Sequence, residues 1–213
     1  MSAVPKPLLT PQEYLACERR AETKSEYLRG EMFAMTGASR KHNLIAGNIV
    51  VALGPQLRDR DCEVYPGDMR VKVSPTGLYT YPDVTVVCGE PEFEDAEVDT
   101  LLNPKVLVEV LSPSTADYDR GGKFTHYRRL PSLREYVLIS QDRPLVEHYV
   151  RQGQDEWLLT EQSSLKETLA LPSIQCRLPL SEIYLKVRLA PEAGETQMAN
   201  DEAPNDERMA KHE

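Results

Sequence analysis

Glu109 stands in the middle of Val106-Leu107-Val108-Glu109-Val110-Leu111, a run that otherwise reads as a buried strand. An ionised carboxylate in such a place is costly unless something pairs with it. Two partners are near in the sequence. Asp83 lies in a second strand-like run, Tyr81-Pro82-Asp83-Val84-Thr85-Val86-Val87, and Lys123 closes the segment Asp119-Arg120-Gly121-Gly122-Lys123. Two acids and a lysine on adjoining elements can hold a divalent metal and a phosphate. They can also form an ordinary buried ion pair.

The elements that carry these residues sharpen the choice. Strand alternation puts Asp83, Thr85 and Val87 on one face, and Glu109 on one face with Leu107 and Leu111. Both acids then sit in mid-strand and face a common cleft, where Mg2+ would find the one or two carboxylates it takes beside water and substrate phosphate. After a proline, Asp83 could equally cap a strand end. On a helix predicted over about Asp119 to Leu130, Phe124, Tyr127 and Leu130 define the apolar stripe. Lys123 and Arg120 fall on it, whereas Thr125, Arg128 and Arg129 do not. A lysine on that stripe must run its stem along apolar surface to reach an acid or an anion. The alternative is an i,i+4 pair with Asp119, worth only about 0.3 to 0.5 kcal/mol.

Other side chains are weaker candidates. His42 projects onto the same helix face as Ile45, Ala46 and Ile49, where a histidine is either a hydrogen-bonded core residue or a general base near the acids. Tyr127, one turn beyond Lys123, could contact phosphate or orient the lysine, or be core. Arg120 is a possible phosphate contact. Arg70 and Lys72 read as members of a solvated face. Glu31, beside Gly30, is either a solvated turn residue or a further acid of the site.

The remaining chain supplies a scaffold. Thr10-Pro11-Gln12-Glu13 is a helix start with a threonine cap and a glutamate at the third position. Tyr27 to Met35 predicts a hairpin turning at Arg29-Gly30, and a helix with Ile45, Ile49 and Leu53 on one side begins near His42, with Pro55 kinking or ending it. Strands are expected at Cys62–Tyr65, Met69–Val73, Leu78–Cys88 and Val106–Leu111. The acidic stretch Gly89 to Asp99 reads as a surface loop. A meander follows over Tyr136–Ile139, Leu145–Val150 and Trp157–Thr160, then a short helix over Leu180–Leu185. This order predicts an α/β fold, a mixed β-sheet flanked by helices with an additional antiparallel meander.

Composition bounds the function. The 213 residues carry a net charge of -9, which argues against a protein that coats nucleic acid through a global positive field. Seven acids against two bases lie between Pro191 and Glu213, so residues 1–190 form the expected domain and 191–213 an acidic disordered tail. No apolar run reaches the roughly 18 to 20 residues of a membrane span. Cys17, Cys62, Cys88 and Cys176 show no C-x-x-C spacing, so reduced thiols and a cytoplasmic location are expected.

Pro82-Asp83, followed by Glu109 in Val-Glu-Val, resembles the PD-(D/E)-x-K pattern of restriction-endonuclease-like nucleases. The stretch from Glu109 through Leu111-Ser112-Pro113-Ser114-Thr115 to Asp119-Arg120-Gly121-Gly122-Lys123 and Tyr127-Arg128 is similar to the Uma-type endonuclease branch, over about Thr10 to Leu185. The superfamily places its lysine two residues after the glutamate, where this chain has Leu111. In the Uma-type branch the lysine sits on the following helix, which Lys123 matches. The resemblance implies a restriction-endonuclease-like fold and Mg2+-dependent, or Mn2+-dependent, hydrolysis of DNA. It makes Asp83 and Glu109 the metal ligands, Lys123 the residue that positions water and offsets charge, and Glu31 a further ligand or a group that orients metal-bound water, while His42 stays a candidate catalytic group from its helix face alone. A homodimer is expected by analogy with nucleases that cut two strands. Two other readings stay open: a non-catalytic module that keeps the fold to bind nucleic acid or a partner, and a hydrolase of small phosphoesters.

Overall fold

The structure is a computed structural model that describes residues 8–189, so the expected acidic tail lies outside the described residues. Helix α1 (Pro11–Glu18) begins at the capping box formed by Thr10 and Glu13. Its Tyr14 and Leu15 pack with Tyr27 and Tyr79 on the outer face of a five-stranded sheet of order β2-β1-β5-β4-β7. These strands are β1 (Ser25–Leu28), β2 (Glu31–Ala34), β4 (Arg70–Val73), β5 (Leu78–Thr80) and β7 (Thr100–Leu101). The β1–β2 turn uses left-handed conformations at Arg29 and Gly30. Leu8 packs so close to Gly30 that a Cβ there would lie 2.6 Å from its side chain, so glycine meets two demands at once.

The second sheet has six strands in the order β11-β10-β9-β8-β6-β3. Its members are β3 (Cys62–Pro66), β6 (Val84–Cys88), β8 (Val106–Leu111), β9 (Glu135–Ser140), β10 (Val146–Arg151) and β11 (Trp157–Gln162). It is mixed: β8 runs parallel to β9 and antiparallel to β6, while β9, β10 and β11 form the antiparallel meander. A ribbon of β12 (Thr168–Leu171) and β13 (Cys176–Pro179) and a last helical turn, Leu180–Ile183, complete the chain.

Two apolar layers explain why β8 is buried along its whole length. On one face, Ile45, Ile49, Leu53 and Leu57 of α2 (Arg40–Leu57) pack on Val84, Val86, Val106, Val108 and Val110. On the other, Leu107 and Leu111 meet Val71, Val73 and Leu78 of the five-stranded sheet, together with Tyr127, Leu130 and Leu133. Helix α2 passes through Pro55 without ending. The carbonyl that loses its amide donor at Pro55 belongs to Val51, which is 73% exposed and so lies on the solvent side of the helix.

Several expectations change. The single strand expected over Leu78–Cys88 is two strands in different sheets, β5 and β6, with Tyr81-Pro82-Asp83 as the crossover. The helix expected from Asp119 is a π-helical turn, Tyr118–Lys123, followed by one α-helical turn, α3 (Phe124–Tyr127). Gly122 permits this, because a Cβ there would strike the Tyr118 ring at 2.4 Å. Arg70 belongs to no solvated face: it is buried, with Asp99 2.8 Å away and hydrogen bonds to Tyr81 and Thr100. The acidic loop is tied down by Arg19, which pairs with Asp95 and Asp99, and by Lys72, which pairs with Glu94. Cys62 and Cys88 are directly opposite in the β3–β6 register and form a disulfide, where reduced thiols were expected. A separation of 26 residues gave no hint of that pairing. Among the described residues, no helix is long and apolar enough to cross a membrane.

Leu53 is fully buried at the centre of the α2 stripe. Leu53→Ala should cost about 2–5 kcal/mol of stability, seen in urea as a lower midpoint with an unchanged slope.

Candidate active site

The last backbone pair between β6 and β8 is Val84 with Val108, so Asp83 falls opposite Glu109 just where the strands part. Side chains so placed project to the same side of a sheet. Pro82 can donate no backbone hydrogen bond across this gap. The Asp83 carboxylate fills it instead, its Oδ2 accepting from the amide of Val110 at 2.7 Å. His42 Nε2, from the first turn of α2, lies 3.1 Å from the same oxygen. Asp83 is therefore a crossover residue gripped from two sides, in place of the mid-strand position expected.

Glu109 is buried and accepts two hydrogen bonds on Oε1, from Lys123 Nζ at 3.1 Å and from the Tyr127 hydroxyl at 2.8 Å. Lys123 is buried too, and the inward orientation and the pair with Asp119 hold together. Its ammonium lies 3.3 Å from Asp119 Oδ1 and 3.3 Å from Glu26 Oε1. The Asp119 contact is poorly aligned, so Oδ1 is buried without a directed hydrogen bond. The Tyr118 ring covers the ammonium, 5.9 Å from its centroid.

Glu26 was not among the sequence candidates. It lies on β1 directly opposite Thr80 on β5, given that Tyr27 pairs with Tyr79. The Thr80 hydroxyl donates to its Oε1 at 2.5 Å. The missing signal was a strand boundary: the hairpin begins at Ser25, two residues before the expected Tyr27, and Ser-Glu-Tyr-Leu then puts Glu26 on the inner face. Glu31 lies exposed at the start of β2, and the structure does not bring it to the cluster. Arg120 turns away to Glu147, with both carboxylate oxygens 2.9 and 3.1 Å from Nε and Oε1 2.6 Å from Nη2. Tyr127 is core and site residue at once, fully buried with its hydroxyl on Glu109.

Burial and the neighbouring charges of Asp83 and Asp119 outweigh Lys123 and Tyr127, so the Glu109 carboxyl is pushed up to about 8. Burial also raises Asp119. Lys123 shows the reverse balance: burial alone would lower it, but Glu109, Glu26 and Asp119 together hold the ammonium well above its ordinary value. Three acids around one lysine, with Asp83 next to Glu109, leave room for a proton or a further cation.

The residues present fit a hard cation. All contacts to Asp83 fall on Oδ2 and all those to Glu109 on Oε1, which leaves one oxygen of each carboxylate uncommitted. Among the described residues, no group of three or more His, Cys, Asp or Glu side chains could hold a metal ion. Two carboxylate oxygens are what the cleft offers such an ion, the number that Mg2+ takes beside water and substrate oxygens.

Comparisons with known proteins place the fold. The family described as "Uma2: Putative restriction endonuclease" matches residues 11–181. The chain belongs to the Uma2 family. With it comes membership of the PD-(D/E)XK restriction-endonuclease-like superfamily. Two uncharacterised proteins of Synechocystis sp. are similar to this chain. One, sll1609, is 42% identical over 154 residues, covering 72% of this chain and 87% of that protein. The other, slr1290, is 35% identical over 182 residues, covering 85% and 94%. A solved structure of similar fold is described as a putative nuclease belonging to DUF820 from Anabaena variabilis. Its TM-score is 0.66 at 19% identity, with 84% of this chain and 98% of that one covered.

The raised carboxyl of Glu109 has a measurable sign. Between about pH 4.3, where an unfolded glutamate titrates, and about 8, the folded Uma2 chain binds a proton that the unfolded chain lacks. The group therefore costs stability as pH rises through that window. Lys123, raised in the fold, stays charged throughout it and adds no slope. Without divalent metal, Glu109→Gln should gain on the native protein in Tm as pH goes from about 5 to about 8. A difference independent of pH would show that Glu109 titrates as an ordinary glutamate.

Proposed function

We propose that this protein binds DNA through its nuclease fold and hydrolyses its phosphodiester bonds with Mg2+ or Mn2+ held at Asp83 and Glu109. The observation that carries the reading is the pairing of these acids across the β6–β8 register, each with a free oxygen, beside a buried lysine. When bound, such an ion would supply Lewis acidity to water and to the phosphate.

The chain's own groups have distinct tasks in this reading. Asp83 and Glu109 present oxygens from opposite sides of the parted strands, with the Val110 carbonyl as a further donor. His42 fixes the orientation of Asp83 from 3.1 Å. The Tyr127 hydroxyl and Lys123 hold Glu109 by Oε1, which leaves its second oxygen for the ion. Lys123 keeps a positive charge under the reacting phosphate and offsets charge developing on its oxygens. Glu26 and Asp119 stop that ammonium from swinging away. Glu31 and Arg120 have no such task here, since one is exposed and the other is committed to Glu147. A homodimer would present two such sites to the two strands of a duplex.

One observation favours the second reading, a binding module that keeps the fold without cleaving. The Lys123 ammonium is surrounded by three carboxylates, and no third acid or histidine joins the metal pair among the described residues. Plasmid cleavage with Mg2+ or Mn2+ separates the two. The native chain should nick supercoiled DNA, while Asp83→Asn, Glu109→Gln and Lys123→Met should each lose about a hundredfold or more in rate. Equal cutting by native and variant chains would overturn the site. DNA binding without any cutting would leave the module.

A further inference from the structure

An open hollow of about 350 Å³ is lined by Leu111, Ser112, Arg120, Ser140, Asp142 and Arg143 among others. It lies where the parallel strands β8 and β9 end, at the pair Leu111–Ser140. Leu111 is two residues past Glu109 on the same face of β8, about 6.6 Å along the strand. That is on the order of the distance between successive phosphates of a nucleic-acid strand. The first turn of α2 also joins the two places, for Lys41 reaches Asp142 at 3.4 Å while its neighbour His42 reaches Asp83 at 3.1 Å.

The charges of the hollow do not cancel. Arg120 is neutralised by Glu147, and Asp142 by Lys41. Arg143 is exposed and has no carboxylate or hydrogen-bond partner among the described residues. Beside it, the Ser112 hydroxyl bridges those of Ser114 and Thr115 at 3.1 and 2.9 Å and can turn to donate outward. In a chain of net charge -9, an unpaired guanidinium beside a hydroxyl and next to a phosphodiester-cleaving site is a place for an anion.

We propose that this hollow is a second phosphate subsite, in which Arg143 and Ser112 hold the backbone phosphate next to the scissile one. The inference rests on the nuclease reading and deepens it. Contacts of this kind set register on the strand and carry no sequence information. Arg143 is thus a residue of binding and not of the chemical step.

The test is fluorescence anisotropy of a labelled single-stranded oligodeoxynucleotide in EDTA, which prevents cleavage. Native chain, Arg143→Ala, Arg143→Lys and Arg177→Ala are compared over a range of salt, the last removing an exposed arginine on β13, away from the hollow. Arg143→Ala should bind about tenfold more weakly, with a salt dependence shallower by about one counterion. Arg143→Lys should recover part of the loss, and Arg177→Ala should bind as the native chain does. With Mg2+, Arg143→Ala should raise KM with little change in kcat. If the native chain binds and Arg143→Ala matches Arg177→Ala in affinity and slope, the subsite is overturned while the nuclease reading stands. If the native chain neither binds nor cuts DNA, both are overturned.

Discussion

One buried ammonium holds this protein's centre together. Lys123 is in contact with Glu26 of the five-stranded sheet, Glu109 of the six-stranded sheet and Asp119 of its own π-helical turn. Each carboxylate would be expensive to bury alone, and so would the lysine. Together they permit a polar floor between two apolar sheets. Removing the cation would leave three acids facing one another in a site of low polarisability. Such ion clusters add little stability over a well-packed apolar core. Their value lies in fixing which side chains can reach the cleft.

The fold around that contact follows from its needs. Strand β8 is covered on both faces, so Glu109 is buried and finds its hydrogen-bond donors inside. The π-helical turn, opened by Gly121-Gly122, brings Asp119 and Lys123 to the same point, and Gly122 leaves space for the Tyr118 ring to lie over the ammonium. The crossover at Tyr81-Pro82-Asp83 lets one segment serve two sheets. Thr80 ends β5 facing Glu26, and three residues later Asp83 faces Glu109.

How much of this the sequence revealed depends on whether a feature is local. Glu109 was legible because an acid inside an unbroken valine and leucine run can be stable only with a proton or a partner close by. Lys123 was legible because its inward side follows from helical spacing, and the π-helical turn did not rotate it out of reach. The apolar faces of α2 and β8 were legible for the same reason. Glu26 was lost to a strand boundary set two residues late. Arg70 was read as exposed because the groups that bury it, Tyr81, Asp99 and Thr100, come from other elements of the chain. The Cys62–Cys88 pair and the break at Pro82 depend on which strands become neighbours, and periodicity says nothing about that.

The groups of the cluster come from distant parts of the chain. The contact from Thr80 to Glu26 closes a loop of 54 residues, and that from Asp83 to the Val110 amide closes one of 27. Such closures are slow, and they are made only after much chain entropy has been given up. In the nascent or unfolded chain these acids and the lysine are separate, hydrated charges with no common field. The cleft is complete only when both sheets and the π-helical turn are in place. No single segment carries all of these groups, so the site is tied to the integrity of the whole folded domain.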